Sequence, residues 1–278
     1  MKNMKKSTIF KIISTSVLAS CFFINFSSQA IANTNKSTQE IFTPAQVVEM
    51  QKIIKQYVIA NPDILIAASK TLQNQEMAKM QKIATNIVHK NAKQLFANKQ
   101  DMILGNPQGK ISIVEFYDYQ CHHCRDMSPI IEKIIKNNPD VKVILKAVPL
   151  FGESSKDATI AALSAYATNK NNFVKFHQYL MTVKTPIDKN EIKKSLNKAG
   201  YSSFSIKRYI LKNKKILQQY INDNMKLANQ LLKPTIGGVA TPAFVVARSN
   251  INKNSVVKFR PGQMSYKDLQ MMVDAIKK

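Results

Sequence analysis

The chain has 278 residues, of which 45% are hydrophobic and 21% charged, which excludes a disordered or fibrous protein and suffices for one full domain plus a smaller one. The formal charge is +24, but the basic residues are spread over every expected helix and no nucleic-acid motif accompanies them. The composition therefore predicts a lysine-coated protein with a weak affinity for anionic membrane surface and no nucleic-acid partner.

Lys2, Lys5, Lys6 and Lys11 precede the apolar run IISTSVLASCFFINF, and AIA closes it at Ala30–Ala32. This is the pattern of an export signal over residues 1–32 with cleavage after Ala32. Leu18-Ala19-Ser20-Cys21 resembles a lipobox, which would make Cys21 a lipidated N-terminus; FFINF directly behind it favours ordinary cleavage. Beyond this segment no run is long and apolar enough to span a membrane. Residues 33–40 form a polar lead-in.

Two helices should follow. Thr43, Pro44 and Gln46 mark the start of the first, which runs to about Ala60, and Asn61-Pro62 restart the pattern for a second that reaches about Lys99. The apolar positions of the second (Leu65, Ala68, Leu72, Met80, Ile83, Ile87) form a narrow stripe. Such a stripe suits a seam against the same helix of a second subunit, with packing on its own domain as the alternative. Residues 33–100 are thus expected to be a helical dimerisation segment and residues 101–278 the main domain.

KISIVEFYDY then reads as a buried strand, a helix starts at Cys121 and bends at Pro129, and DVKVILKAVPL is a second strand. Residues 156–233 are nearly all helical, with breaks near Thr185-Pro186 and Ala199-Gly200. TPAFVVA and VVKFRPG are the third and fourth strands, and Ser265 caps a closing helix. The order is β-α-β, a block of helices, then β-β-α, which defines an α/β domain.

The chemistry concentrates in Cys121-His122-His123-Cys124. Haem attachment requires a histidine at position 125, where arginine stands. Structural zinc requires a second ligand pair, and His89 and His177 are isolated. A disulfide this short removes little chain entropy, which points to a working disulfide in an oxidising compartment. Cys121 falls at a helix N-terminus, where free N–H groups and the helix dipole favour a thiolate, and His123 can add charge or a hydrogen bond.

VEFYDYQCHHC, with Pro129 five residues after Cys124 and GGVATPAFVV near the third strand, resembles the DsbA family of periplasmic thiol–disulfide oxidoreductases over about residues 103–278. The resemblance implies a thioredoxin fold with an inserted helical domain at about 153–233. Glu115 matches the buried acid that takes the proton of Cys124, and Pro242 matches a cis-proline facing the disulfide. Thr241 exposes backbone groups for a substrate strand. The implied roles are Cys121 as exposed nucleophile and Cys124 as resolving thiol, with no cofactor beyond the Cys121–Cys124 disulfide. Two positions depart from the family's oxidases: His122 stands where proline is usual, and Thr241 where many carry valine. The N-terminal segment resembles that of a dimeric, DsbA-like branch named as outer membrane proteins.

The resemblance implies an enzyme of the envelope or periplasm of a Gram-negative-type bacterium, with outer-membrane association as a variant. Its substrates would be reduced or misoxidised exported proteins, its recycling partner a membrane redox protein, and its assembly a homodimer. Oxidation and isomerisation both remain open. The competing readings are an envelope binding or surface protein with an incidental disulfide, and metal delivery through Cys121, Cys124 and a histidine.

Overall fold

The computed structural model describes residues 42–184 and 186–277. The export segment, Cys21 and the polar lead-in lie outside the described residues. The chain divides into two compact units after Pro62.

In the first unit, α1 (Pro44–Ala60) opens on the expected capping box: the Thr43 hydroxyl accepts from the Gln46 N–H, and the Gln46 side chain accepts from the Thr43 N–H. Asn61 does not cap the next helix. Its side-chain amide donates to the Tyr57 carbonyl at 2.8 Å and closes α1.

The second unit is built on five strands: β1 (Met102–Gly105), β2 (Ile111–Tyr117), β3 (Val141–Ala147), β4 (Ala243–Arg248) and β5 (Val257–Pro261). They lie in the order β1-β3-β2-β4-β5, with β2 and β3 parallel and the other pairs antiparallel. A parallel pair needs a crossover, which α4 (His122–Asn137) supplies. β1 is a strand that the sequence pattern does not announce. It ends at Gly105, whose φ of 77° and whose 2.8 Å approach to the Val141 carbonyl, measured from a hypothetical Cβ, leave room for glycine alone.

Both faces of the sheet are covered. One packs Ile111, Ile113 and Tyr117 against α4 and the closing helix α9 (Tyr266–Lys277), continuing into α5 (Glu153–Thr168), α6 (Lys170–Thr182) and α7 (Lys189–Lys198). The other packs Val114, Phe116, Ile144 and Val245 against Ala84 and Val88 of α2 (Asp63–Lys90), Leu95 and Phe96 of α3 (Ala92–Phe96), and Leu227, Leu231 and Leu232 of α8 (Ser203–Ile236). The second helix therefore ends at Lys90, earlier than its pattern suggests, and its C-terminal half packs on its own domain. Gln81 ties that half to the edge strand β5: its amide donates to the Val257 carbonyl and accepts from the Phe259 N–H, both at 2.9 Å. This blunts the exposed edge of the sheet.

The helical insertion breaks between Thr182 and Lys189 and at Ala199-Gly200, and also at Asn169, whose side chain caps α6. Lys146 of β3 is fully buried. Its ammonium donates to both Asp101 oxygens (2.8 and 2.7 Å) and to the Gln94 carbonyl (2.6 Å), and the Tyr220 hydroxyl donates to Asp101 at 2.7 Å. That network joins α3, the start of β1, β3 and α8 in one charge-neutral knot, the condition under which a buried charge is tolerated. No helix among the described residues is long and apolar enough to cross a membrane.

Candidate active site at the Cys121–Cys124 pair

The site begins where β2 stops. Asp118, buried at the strand end, accepts from the Leu150 N–H at 2.6 Å and the Gln120 N–H at 2.9 Å, while its carbonyl accepts from the Cys121 N–H. Gln120 exchanges two hydrogen bonds with the backbone of Ile187, which ties the loop to the connection between α6 and α7. Arg125 Nη1 donates to the Tyr119 carbonyl at 3.3 Å. These contacts fix Cys121 as the N-cap of α4. None of them is announced by a motif; Asp118 and Gln120 are the polar residues of the strand-to-helix loop, and only their burial shows what they do.

Both cysteines are free thiols here, and Cys121 is 5% exposed against 0% for Cys124. The nucleophile is thus more sheltered than the sequence suggests, because the loop of Thr241 lies against it. The Cys121 thiol donates to the Thr241 carbonyl at 3.3 Å, and the Thr241–Pro242 peptide bond is cis. The Pro242 carbonyl accepts from the Gly262 N–H at 2.8 Å, which anchors the loop to the end of β5.

The two sulfurs differ in charge. The Cys124 thiol and the backbone N–H groups of Cys124 and His123 stabilise a thiolate at Cys121 and outweigh its burial, so its pKa falls to about 5. Cys124 is pushed far up by burial first, then by its bond to Cys121 and the charge of Glu115. At pH 7 Cys121 is therefore a thiolate and Cys124 a thiol.

Glu115 shares its strand face with Ile113 and Tyr117, beneath the cysteines, and is 1% exposed. Both carboxylate oxygens lack a hydrogen-bond partner among the described residues. Burial, and then the negative charge of Cys121, raise it to about 8. The carboxyl therefore holds its proton while Cys121 is a thiolate, and releases it more readily when that charge is removed.

The two histidines of the quartet turn outward. His122 is 73% exposed on its side chain and reaches Asp126 Oδ2 at 3.4 Å. His123 Nδ1 meets Gln263 Oε1 at 3.0 Å. What His123 gives the sulfur is its backbone N–H; the imidazoles are not among the groups that hold the Cys121 pKa down. Among the described residues no three His, Cys, Asp or Glu side chains converge in a group that could hold a metal.

A residue that looked isolated in the sequence is near the pair. His177 of α6 is buried, its Nδ1 lies 2.9 Å from the Tyr119 hydroxyl, and it lines the same cavity as Glu115 and Cys124. Its α6 register with Phe173 and Phe176 hinted at burial, but nothing in the sequence hinted at its neighbours.

Fold and site together define a thioredoxin-type dithiol protein with asymmetric sulfurs. Residues 97–275 match the family model described as Thioredoxin. The chain belongs to the thioredoxin family. It is 30% identical over 86 residues to disulfide bond formation protein D of Bacillus subtilis (strain 168), an alignment covering 30% of this chain and 39% of that protein. It is 29% identical over 139 residues to the thiol:disulfide interchange protein DsbA of Burkholderia cepacia, covering 43% of this chain and 62% of that one. Both alignments span less than two thirds of the relative's own length. The catalytic domain of Proteus mirabilis ScsC superposes with a TM-score of 0.57 at 27% identity, over 70% of this chain and 99% of that structure.

Two outcomes follow from the charges. Titration of the reduced protein by thiolate absorbance at 240 nm should show a transition near pH 5 that Cys121→Ser abolishes; a midpoint near the ordinary thiol value of 9.0 would contradict the geometry. Glu115 is raised in the fold, so its contribution to stability is full below its ordinary 4.5 and is lost as pH climbs to about 8. Glu115→Gln should therefore stabilise the reduced protein by an amount that grows by about 1.4 kcal/mol per pH unit across that window. Thermal denaturation at pH 4 and at pH 8 measures it, and an equal effect at both would contradict the assignment.

Proposed function

We propose that the protein catalyses thiol–disulfide exchange in exported proteins through a redox-active Cys121–Cys124 disulfide, without any other cofactor. The observation that carries this is the contrast between the two sulfurs: one held as a thiolate and the other as a thiol, beside a buried acid.

In the oxidising direction a substrate thiolate attacks Cys121 Sγ of the disulfide. The S–S bond breaks, and Cys124 leaves with the electron pair and takes the proton of Glu115, since a bare thiolate there is strongly disfavoured. A second substrate thiolate then attacks the substrate sulfur of the mixed disulfide and expels Cys121 as a thiolate. Cys121 leaves readily because its thiolate is stable. The substrate gains a disulfide and the enzyme ends as Cys121 thiolate and Cys124 thiol. In the reverse direction Glu115 takes the proton of Cys124 as that sulfur attacks Cys121. In isomerisation the reduced Cys121 attacks a wrong substrate disulfide. Thr241 and Pro242 present the backbone against which an extended substrate segment pairs.

The segment over residues 1–32 supports export to the bacterial envelope, where reduced or misoxidised proteins are the substrates and a membrane redox protein restores the disulfide. A homodimer is supported by the apolar residues that stay exposed on the N-terminal helices: Ile53, Ile54 and Ile59 on α1, and Ile64, Leu65 and Leu72 on the first half of α2. Residues 33–76 are the segment that carries it.

Cys121→Ser should abolish oxidative refolding of a reduced substrate above the uncatalysed rate, and Cys124→Ser should accumulate a mixed disulfide between Cys121 and substrate, resolved by non-reducing gel; a Cys121→Ser protein as active as the parent ends this reading. By sedimentation the mature chain should run as a dimer and a chain lacking residues 33–76 as a monomer. Equal masses per chain would dismiss the dimer.

A further inference from the structure

The proton that Glu115 and Cys124 pass between them has to reach solvent, and both groups are buried. Behind the cysteine pair, on the side away from the Thr241–Pro242 loop, lies a cavity of about 480 Å³. Glu115, Cys124 and His177 line its buried end, and Ile131, Ile135 and Val174 line its wall. Glu132, Lys133 and Lys136 of α4 stand at its open rim. At roughly 30 Å³ per water in the liquid, the space holds a chain of several waters.

Two features give the cavity a polar end. Both Glu115 oxygens are buried without a protein partner, so a water is the donor that can reach them. His177 has one ring nitrogen fixed by Tyr119 at 2.9 Å, and among the described residues the other makes no hydrogen bond. With Tyr119 donating to Nδ1, the imidazole proton sits on Nε2. The mechanism derived above makes no use of His177.

We propose that this cavity is the solvent route by which Glu115 exchanges the proton it trades with Cys124, and that His177, held by Tyr119, is a positioning residue that orients water on that route. The inference rests on Glu115 being the acid–base partner of Cys124. The step is balanced: Cys124 S–H gives its proton to the Glu115 carboxylate, the Cys124 sulfur attacks Cys121 Sγ, and the departing sulfur leaves as a thiolate with the electron pair. The Glu115 carboxyl then passes the proton to a cavity water and returns to the carboxylate. Burial pushes His177 down to about 3, so it stays a neutral donor throughout and does not add a charge next to Glu115. The other titratable groups facing the cavity, Glu132, Lys133 and Lys136, stand at the solvent end and meet the proton last.

The test follows the resolution of a mixed disulfide between Cys121 and glutathione by Cys124 in the full mature chain, using rapid quench with thiol trapping. His177→Phe should slow this step at least tenfold, a fraction of what acid–base catalysis supplies. The equilibrium of the protein disulfide with glutathione should stay within twofold. His177→Gln, whose side-chain amide can donate where Nε2 did, should recover most of the rate. Val174→Trp, which narrows the cavity and keeps the His177 imidazole, should slow the step as well, and decides the matter if His177→Phe fails to fold. Wild-type rates in the folded His177→Phe and Val174→Trp proteins overturn the proposal, as does a rate loss matched by an equal shift in the glutathione equilibrium. Glu115→Gln run in parallel separates the two levels. If it alone slows resolution, the route is wrong and the acid stands; if it too resolves at the wild-type rate, the acid–base reading of Glu115 has failed.

Discussion

The structure is arranged around one electrostatic demand: a negative charge must rest on Cys121 while Cys124 and Glu115, buried beside it, stay neutral. Charge in a dry interior is costly, and only one of the three groups has hydrogen-bond donors to offset that cost. The N-terminus of α4 aims the Cys124 thiol and the backbone N–H groups of His123 and Cys124 at Cys121. Cys124, one turn into the helix, and Glu115, on the strand beneath, are given none that suffices. The asymmetry of the sulfurs is therefore a consequence of where the helix begins.

The scaffold serves to hold that beginning in place. Asp118 fixes the strand end, Gln120 ties the loop to the helical insertion, and Arg125 closes its carbonyls. The Thr241–Pro242 loop is held from the other side by β5. Beneath them β2 is buried on both faces, which lets it carry Glu115 in the dry region without exposing the strand. The covering of the second face by α2, α3 and α8 is thus part of the site's electrostatics, since an open face would bring solvent to the strand that carries Glu115.

Much of this was legible in the chain. Strands with strong apolar runs, β2 to β5, and helices with clear starts, α1, α4 and α9, stand where their residues indicate. So do the cysteine pair and the Thr241-Pro242 loop. What was hidden has a common physical character. β1 is four residues long, too short to show a period, and owes its existence to pairing with β3. Glu115 lies between Val114 and Phe116 in a strand buried on both faces, so alternation could not say which way it points. Lys146 reads as a surface lysine until Asp101 and Tyr220 arrive from 45 and 74 residues away to neutralise it. His177 reads as isolated because its neighbours come from β2 and the loop after it. His122 and His123 read as sulfur neighbours, but their α4 positions turn the rings to Asp126 and Gln263.

A thiolate stabilised only in the reduced protein makes the disulfide a strong electron acceptor, because reduction gains what oxidation forfeits. The direct measurement is the equilibrium of the Cys121–Cys124 disulfide with glutathione at pH 7. The charge arrangement predicts a potential on the oxidising side, nearer the roughly −120 mV of a strong disulfide donor than the roughly −270 mV of a reducing thioredoxin. A value at the reducing end would mean that the donors around Cys121 do not stabilise its thiolate, and would contradict the account at its base.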